Sequence, residues 1–418
     1  MKFYQKNNCR LCGSSDLNKI LGLTPTPWAD DYRKKEKLSE QKSIPLDLYQ
    51  CTSCHHVQLK DIIDAEEIYL NYTYETESTL GLGEHFKDTA KSILDIYDNK
   101  KGLVIDIGSN DGILLKYFKD YGLDVLGIDP MPDIASKASK LGINTLPIFF
   151  NSKTADEVAK EHGKADIISS NNLVADTDDL DDFVEGVKKL LNKDGIFFFE
   201  TFYFYLQVKN FVWDFTYHEH YSYFLVLPLK NYFEKKGFEI INIEPNLTKG
   251  GSMRCALKLK GGKYPINKSV ENYISKEKDA GFYDGKFIKE YSDKINLSKE
   301  IFKKEISKIV KNGSKISGYG ASATSTTLIY HYEMGEMLDF LYDDFKVKHD
   351  LYSPGYHIKV LPSEKIYENK PEYVIILAWR YHEKIIEKNK KFLLDGGKFI
   401  IPMPEYKIID KSYLEKKN

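Results

Sequence analysis

The alternation of apolar and polar positions predicts that strands and helices follow one another along the chain. Residues 103–107, LVIDI, are a short apolar run of the kind expected for a buried parallel strand. A glycine-rich turn, GSNDG at 108–112, follows, and then ILLKYFKDYG, which has apolar residues at helical spacing and ends on a glycine. A second strand, DVLGID, ends at Asp129, where Pro130 blocks its continuation. This order of elements predicts a doubly wound α/β sheet.

The alternation continues beyond this first unit. ADIISSNN, DLDDFVEGVKKLL and GIFFFE predict a fourth strand, a helix and a fifth strand of the same sheet. After about residue 262, a lysine-rich amphipathic helix is expected at roughly 284–312, and KISGYGASATSTTL, FLYDDF, YVIILAW and KFIIPMP predict a second α/β unit. This unit carries G-x-G-x-x-A from Gly318 to Ala323, with Asp343 and Asp344 a strand later. On its own, that pattern indicates NAD binding.

Length and charge narrow the classes of partner. A chain of 418 residues is too long for one ordinary hydrophobic core, so two or three domains are expected. The 60 basic and 62 acidic residues give a formal charge of -2, which provides no field that attracts nucleic acid or an anionic membrane. No apolar leader and no long apolar span is visible. We therefore expect a soluble, cytoplasmic protein without nucleic-acid or membrane partners.

Four of the five cysteines form two C-x2-C pairs, Cys9 with Cys12 and Cys51 with Cys54. Zinc prefers a tetrahedron of thiolates, and each C-x2-C turn presents two sulfurs to one ion. Because disulfides are disfavoured in a cytosolic chain, the pattern predicts a structural zinc site with a closed four-sulfur shell. A zinc ribbon can also bind nucleic acid, but residues 1–60 hold ten Lys or Arg and six Asp or Glu. That excess is too small for a phosphate-binding face.

The glycine turn indicates which cofactor the first α/β unit binds. A dinucleotide fingerprint requires G-x-G-x-x-G, whereas this turn contains G-x-x-x-G preceded by an aspartate. The resulting D-x-G-x-x-x-G resembles motif I of the S-adenosylmethionine-dependent methyltransferases, and an acid at the end of the second strand is expected to hold ribose hydroxyls. The alternative is a plain turn that binds no ligand. The candidate cofactor-binding residues are Asp106, Gly108, Asn110, Asp111, Gly112, Asp129 and Asn171.

Several short motifs span nearly the whole chain: the paired C-x2-C knuckles, IGSNDG, YHEH, GGSMR, GYGA, YVIILAW and GGKFIIPMPE. Taken together, they make the chain resemble the sugar C-methyltransferases of deoxysugar biosynthesis. The resemblance implies an N-terminal zinc-binding domain at 1–73 and a central doubly wound, Rossmann-like S-adenosylmethionine-binding domain at 74–262. It also implies a second Rossmann-like α/β domain at 263–418 that helps to hold substrate without NAD.

The resemblance also implies the reaction. The family transfers a methyl group from S-adenosylmethionine to carbon of a nucleotide-diphosphate-linked 4-keto-(deoxy)sugar, with C3 as the expected position. Carbon becomes nucleophilic here because the neighbouring ketone makes its proton removable by a base. Methylation of a hydroxyl or an amine in a related small molecule, and an inactive scaffold, are the alternatives. We expect a monomer or a weak homo-oligomer.

YHEH, from Tyr217 to His220, is the candidate catalytic block. Its spacing excludes the H-E-x-x-H zinc motif. In a strand, Tyr217 and Glu219 share one face and His220 lies on the other, whereas in a helix Tyr217 and His220 align without Glu219. The three side chains can therefore cooperate only from a loop. By resemblance, His220 is the general base, Tyr217 donates toward the enolate oxygen and Glu219 orients the imidazole; the alternative is a histidine buried in an aromatic core.

Substrate contacts follow from the same reasoning. The candidates are Tyr72 and Tyr74 in NYTYETES, Asp176, Arg254 in GGSMR, and Tyr319. For Arg254, a plain turn at the start of a strand is the alternative. The chain departs from the family at Asp176, where members often have a histidine, and at Thr324, where GYGAPAKG of the family has a lysine. These departures affect the expected substrate more than the expected reaction class.

Overall fold

The chain forms two compact units in the computed structural model, which describes residues 3–64, 68, 82–99 and 101–415. The first unit consists of residues 1–18, 49–207 and 219–285, and the second of residues 19–48, 208–218 and 286–418. Each unit thus combines segments that are distant in sequence. The three-domain division remains a prediction, and the candidate residues Tyr72 and Tyr74 lie outside the described residues.

Short strands form the N-terminal part of the chain. They are β1 Phe3–Gln5, β2 Leu17–Thr26, β3 Ile44–Cys51, β4 Val57–Leu59 and β5 Asp61–Ile63. β1 pairs antiparallel with β5. The first C-x2-C pair lies between β1 and β2, and the second lies where β3 turns into β4.

The first unit is built on a seven-stranded sheet. Its strands are β6 Leu103–Ile107, β7 Asp124–Ile128, β8 Thr145–Leu146, β9 Ala165–Asn171, β10 Leu191–Phe202, β12 Phe238–Asn246 and β13 Ser252–Leu259, while β11 Ser222–Tyr223 lies outside it. The order is β12-β13-β10-β9-β6-β7-β8. The strands from β10 to β8 are parallel, and β13 is antiparallel to both of its neighbours. The order of the parallel strands reverses between β6 and β9, where doubly wound sheets bind ligands.

Helices lie in the connections of this unit. They are α1 Leu82–Ile96, α2 Ile113–Asp120, α3 Pro132–Lys140, α4 Ser152–His162, α5 Leu180–Leu190, α6 Phe204–Lys209, α7 Val226–Lys235 and α8 Ser269–Asp279. Ile93 of α1 and Leu115 and Phe118 of α2 are fully buried in one cluster with Val104 and Ile167 of the central strands. Helices that cover the sheet explain why LVIDI is a continuous apolar run and does not alternate.

The second unit contains another mostly parallel sheet, of six strands. Its order is β16-β15-β14-β17-β18-β19, with the edge strand β19 antiparallel to β18. The strands are β14 Ile316–Tyr319, β15 Leu341–Asp343, β16 Val360–Pro362, β17 Tyr373–Ile376, β18 Lys398–Ile401 and β19 Lys407–Ile409. The helices are α9 Lys286–Lys311, α10 Ala323–His331, α11 Ile366–Asn369, α12 His382–Lys388, α13 Lys390–Leu394 and α14 Ser412–Glu415. The predicted long helix and all four predicted segments of this unit are confirmed.

The predicted fold class is thus confirmed: two doubly wound α/β sheets and an N-terminal segment that carries the paired cysteines. Within the described part of the chain, no helix has both the length and the apolar character needed to cross a bilayer.

Glu277, on α8, is a fully buried carboxylate in the first unit. Its Oε1 accepts the hydroxyl hydrogen of Tyr203 at 2.7 Å and the N–H of Val226, the first residue of α7, at 2.6 Å. Its Oε2 accepts from the N–H of Leu227 at 3.4 Å and from the hydroxyl of Tyr283. Burial raises the pKa of Glu277 to about 7. Four donors nevertheless converge on the carboxylate, two on each oxygen, so the site requires both oxygens to accept hydrogen bonds.

We predict that Glu277→Gln destabilises the first unit by about 1–3 kcal/mol, because the amide nitrogen faces donors and leaves buried N–H or O–H groups unsatisfied. Thermal unfolding followed by circular dichroism measures the effect. Glu271→Gln, on the exposed side of the same helix, is the matched control and should melt like the parent protein. Equal melting temperatures for the two variants would contradict the prediction.

Candidate functional site

The four paired cysteines converge on one point. Their sulfur atoms all lie within 4.8 Å of one another, and the pairs Cys9–Cys54 and Cys12–Cys51 are each 3.5 Å apart. A tetrahedral zinc ion with Zn–S bonds of about 2.3 Å separates neighbouring sulfurs by about 3.8 Å. The cluster therefore fits a closed four-sulfur zinc site. His56 does not join it: its Nε2 lies 3.3 Å from the hydroxyl oxygen of Ser222.

Tight backbone turns present these sulfurs. Gly13 N–H donates to the carbonyl of Cys9 at 2.9 Å, and His55 N–H donates to the carbonyl of Cys51 at 2.8 Å. Gly13 and His55 both have positive φ, 76° and 67°, which closes each knuckle. A hydrogen bond from Cys54 lowers the pKa of Cys9 to about 5, whereas burial raises that of Cys12 to about 11. Four thiolates this close repel one another, and a bound cation such as zinc offsets that repulsion.

We predict that Cys12→Ser abolishes zinc binding, because one of four ligands is lost. The parent should carry about one zinc ion per chain by inductively coupled plasma mass spectrometry. Cys255→Ser is the control, since Cys255 is buried in β13 and belongs to no ligand cluster among the described residues. Full zinc content in the Cys12→Ser protein, or loss in Cys255→Ser, would contradict the assignment.

The predicted cofactor turn lies at the carboxyl end of β6, beside the point where the strand order reverses. Gly108 and Gly112 have φ of 75° and 78°, a region that disfavours side chains. A Cβ on Gly108 would lie 3.2 Å from the side chain of Leu173, and a Cβ on Gly112 would lie 3.0 Å from that of Ile143. Both glycines are therefore required by the turn itself.

Aspartates brace this turn. Asp129 accepts the N–H of Asn110 at 3.0 Å and the N–H of Met131 at 3.0 Å. Asp106 is buried in β6 and accepts the hydroxyl hydrogen of Ser169 on β9 at 2.6 Å. Burial, and the nearby Asp129 carboxylate, raise the pKa of Asp106 to about 7. Asp111 accepts the N–H of Ile113 at 3.4 Å, at the start of α2.

Polar atoms without a hydrogen-bond partner among the described residues lie at the same edge of the sheet. They include Oδ1 and Nδ2 of Asn171, the last residue of β9, and Oγ of Ser109 in the turn. Buried polar groups are nearly always satisfied, so these atoms are available to water or to a polar ligand. The residues present thus fit S-adenosylmethionine, and its contact with Asp129, Asn171 and the backbone of the turn remains a prediction.

We predict that Asp129→Asn weakens S-adenosylmethionine binding by about 10- to 100-fold, because a charged hydrogen bond contributes about 1.5–3 kcal/mol. Isothermal titration calorimetry gives the dissociation constant. Asp133→Asn, on the exposed surface of α3, should bind like the parent. An unchanged dissociation constant in Asp129→Asn would remove this residue from the cofactor site.

The YHEH block is a loop, as predicted. It lies between a short 3-10 helix, Trp213–Phe215, and β11. Tyr217 and His218 belong to the second compact unit and Glu219 and His220 to the first. His218 is fully buried and its Nε2 lies 3.2 Å from the carbonyl oxygen of Pro45; burial lowers its pKa to about 4. His218 is therefore a structural, neutral histidine.

His220 lies beside acidic groups of the first unit. Its Nε2 is 4.0 Å from Oδ1 of Asp176, and its ring centre is 4.4 Å from that of Phe202 at the end of β10. Burial and the neighbouring Glu219 raise the pKa of Asp176 well above its usual value, and Lys249 opposes that shift. The structure thus brings together His220, Asp176 and Glu219, with Lys249 close enough to act on them electrostatically. No sequence pattern pointed to Lys249, which has a positive φ of 54° in the turn before β13.

Arg254 is buried in β13 and makes ion pairs with acids of the first unit. Its Nε donates to Glu200 at 3.0 Å and its Nη1 to Glu244 at 3.0 Å. His85 Nε2 lies 2.8 Å from the other oxygen of Glu200. Burial by itself would raise the pKa of Glu200, but pairing with His85 and Arg254 holds that pKa below its usual value. A role of Arg254 toward substrate remains a prediction.

The sequence analysis missed Glu200, although an acid at the end of the apolar run GIFFFE is a visible signal.

Tyr319 ends β14 in the second unit and is buried. Its hydroxyl donates to the carboxylate of Asp344, 3.1 Å from each oxygen. Asp343 accepts the N–H of Ala321 at 2.6 Å and that of Phe345 at 2.7 Å. A contact between Tyr319 and substrate remains a prediction.

Three family models match the chain, one after another. They are "Putative zinc binding domain" over residues 9–69, "Methyltransferase domain" over 84–243 and "C-methyltransferase C-terminal domain" over 247–404.

Among curated proteins, C-methyltransferase NovU of Streptomyces niveus is 27% identical over 406 residues, which cover 96% of this chain and 97% of NovU. A ubiquinone biosynthesis O-methyltransferase of Bartonella tribocorum is 30% identical over 106 residues, 25% of this chain and 42% of that protein. Among solved structures, the PH0226 protein of Pyrococcus horikoshii OT3 has 14% identity and a TM-score of 0.38, and the match covers 46% of this chain and 99% of PH0226.

A chain that matches these three models in order is an S-adenosylmethionine-dependent methyltransferase with a zinc-binding domain. Within that class it is similar to the C-methyltransferases: residues 247–404 match the model of their C-terminal domain, and the chain aligns with NovU over nearly its whole length. The resemblance inferred from the sequence motifs is confirmed, as are the cofactor and the four-cysteine zinc site.

Proposed function

We propose that this enzyme methylates C3 of a nucleotide-diphosphate-linked 4-keto-(deoxy)sugar. The observation that carries the proposal is the position of His220. It lies 4.0 Å from the Asp176 carboxylate, and its ring contacts Phe202, the last residue of a strand in the cofactor-binding sheet. A histidine next to a carboxylate suits a general base that operates near neutral pH. Carbon methylation requires such a base next to the cofactor.

The residues divide the chemistry as follows. S-adenosylmethionine supplies an electrophilic methyl group when it is bound. His220 accepts the C3 proton on Nε2, and the electron pair of the broken C–H bond moves into the enolate. The enolate carbon would then form the new C–C bond with the methyl group that the bound cofactor would supply, and S-adenosylhomocysteine would be the leaving group. Glu219, next to His220 in the chain, and Asp176 in its ionised form stabilise the imidazolium that forms. Tyr217 donates toward the enolate oxygen in this proposal.

The substrate contacts belong to the same proposal. Tyr72, Tyr74, Arg254 and Tyr319 are proposed to hold the nucleotide-sugar by hydroxyl and guanidinium groups. Arg254 already pairs with Glu200 and Glu244, so its contribution is expected to be orientation within that ion-pair network. A cytoplasmic location remains part of the proposal.

We predict that the enzyme, with S-adenosylhomocysteine in place of the cofactor, exchanges deuterium at C3 of its nucleotide-sugar into solvent, because proton removal precedes methyl transfer. His220→Gln should slow this exchange by about 10²- to 10⁴-fold and leave cofactor binding unchanged. Proton NMR of a small panel of nucleotide-linked 4-keto-sugars follows the exchange.

The control is His162→Gln, at the end of α4 and away from the cofactor edge, which should exchange at the parent rate. Retention of deuterium through methyl transfer would contradict carbon chemistry at C3 and favour methylation of a hydroxyl or an amine. Parent-like exchange in His220→Gln would remove His220 as the base.

A further inference from the structure

Arg10 lies between two zinc ligands, Cys9 and Cys12, yet its side chain points into the protein. Its guanidinium group is fully buried. Nη1 donates to the carbonyl oxygen of Leu59 at 2.8 Å, and the backbone N–H of Arg10 donates to the side chain of Gln58 at 2.8 Å. The first knuckle is thereby joined to β4.

The second nitrogen of the guanidinium reaches the methyltransferase part of the same unit. Nη2 donates to Oδ1 of Asp178 at 3.0 Å. Lys6, at 3.1 Å from the same oxygen, and the hydroxyl of Tyr4 also bind this carboxylate. Burial alone would raise the pKa of Asp178, but Tyr4, Arg10 and Lys6 hold it below its usual value. Asp178 follows Asp176, the carboxylate next to His220, by two residues.

Arg10 also contacts the loop that carries the proposed base. Its guanidinium carbon lies 5.5 Å from the ring centre of Tyr221, a cation–π distance. Tyr221 directly follows His220, and its backbone N–H donates to the carbonyl of Ala175 at 2.9 Å. The Tyr221 hydroxyl donates to the carbonyl of Ile63 at 2.9 Å. The buried Arg10 cation thus contacts both the loop that carries Asp176 and the loop that carries His220.

We infer that Arg10 is a positioning residue for methyl transfer: held by the zinc knuckle, it fixes the 173–178 loop and the 219–222 loop relative to each other. This inference rests on the proposed role of His220. Through Arg10 the zinc site orders the catalytic loops, in addition to folding its own domain.

An arginine suits this role for a geometric reason. The planar fork directs Nη1 and Nη2 to two different elements while its face lies over an aromatic ring, which the point charge of a lysine cannot do. Removing the cation would take away the donor to the Leu59 carbonyl and leave the Asp178 carboxylate to Lys6 and Tyr4, so both loops would lose their common contact.

The test uses the full-length zinc protein with Arg10→Met, Asp178→Asn and the double variant. Hydrogen–deuterium exchange mass spectrometry follows peptides that cover 173–179 and 219–224, including the Tyr221 amide that bonds to Ala175. Zinc content and the dissociation constant for S-adenosylmethionine are measured on the same samples. These three readouts need no sugar substrate, so they stand even if the proposed reaction fails.

We expect Arg10→Met and Asp178→Asn to keep zinc and cofactor affinity, while exchange in both peptides rises about tenfold or more. The turnover number on the methylated substrate should fall about 10- to 100-fold, with a much smaller change in the Michaelis constant. The double variant should resemble Arg10→Met alone, because the two residues form one link. Arg10→Lys, which keeps the charge on Asp178, should lie between the parent and Arg10→Met.

The matched control is Lys189→Met, which removes a cation from an exposed pair with Asp156 in the same unit and should match the parent in every readout. Unchanged exchange in both peptides of the zinc-loaded Arg10→Met protein would overturn the inference. Loss of zinc in both single variants would also overturn it, because Arg10 would then act on the metal site and not on the loops. Additive effects in the double variant would do the same.

Discussion

A short antiparallel pairing of the backbone determines where the site forms. Ser222 and Tyr223 of β11 pair with Gln58 and Val57 of β4, the strand that follows the second cysteine knuckle. Because β11 begins two residues after His220, this pairing fixes the end of the candidate catalytic loop to the cysteine-bearing segment. The loop therefore needs no regular structure of its own. Its backbone conformation is set by hydrogen bonds at its end, as expected for a functional loop on a rigid scaffold.

The local sequence pattern was sufficient to predict the parallel strands and the loop. LVIDI and DVLGID were recognised as strands because both faces of a parallel sheet are covered, and the loop at YHEH followed from the incompatibility of its three side chains with either period. Pairing between residues far apart in sequence could not be predicted. The insertion of β13 between β10 and β12, and the Arg10–Asp178 ion pair across 168 residues, depend on the packing of whole elements. A single sequence holds no local signal for either.

The charges around His220 explain how the departure at Asp176 is accommodated. An aspartate at this position places a second, partly buried carboxylate near Glu219, and two like charges in a poorly solvated site raise each other's free energy. Lys249 provides the opposite charge: burial lowers its pKa, and Asp176, Glu200 and Glu219 oppose that shift. Its left-handed backbone costs strain that surrounding contacts must offset. The aspartate and the lysine therefore act as one unit, and changing either alone alters the charge next to the base.

The two α/β units use the acid after the second strand in the same way. In the first unit, Asp129 accepts the N–H of Asn110 in the glycine turn and that of Met131 after the strand. In the second, Asp343 accepts the N–H of Ala321 and that of Phe345. In both units the acid one strand after the glycine turn therefore braces the backbone, whether or not it also binds a ligand. The G-x-G-x-x-A pattern of the second unit thus indicates a doubly wound sheet and does not by itself indicate a bound dinucleotide.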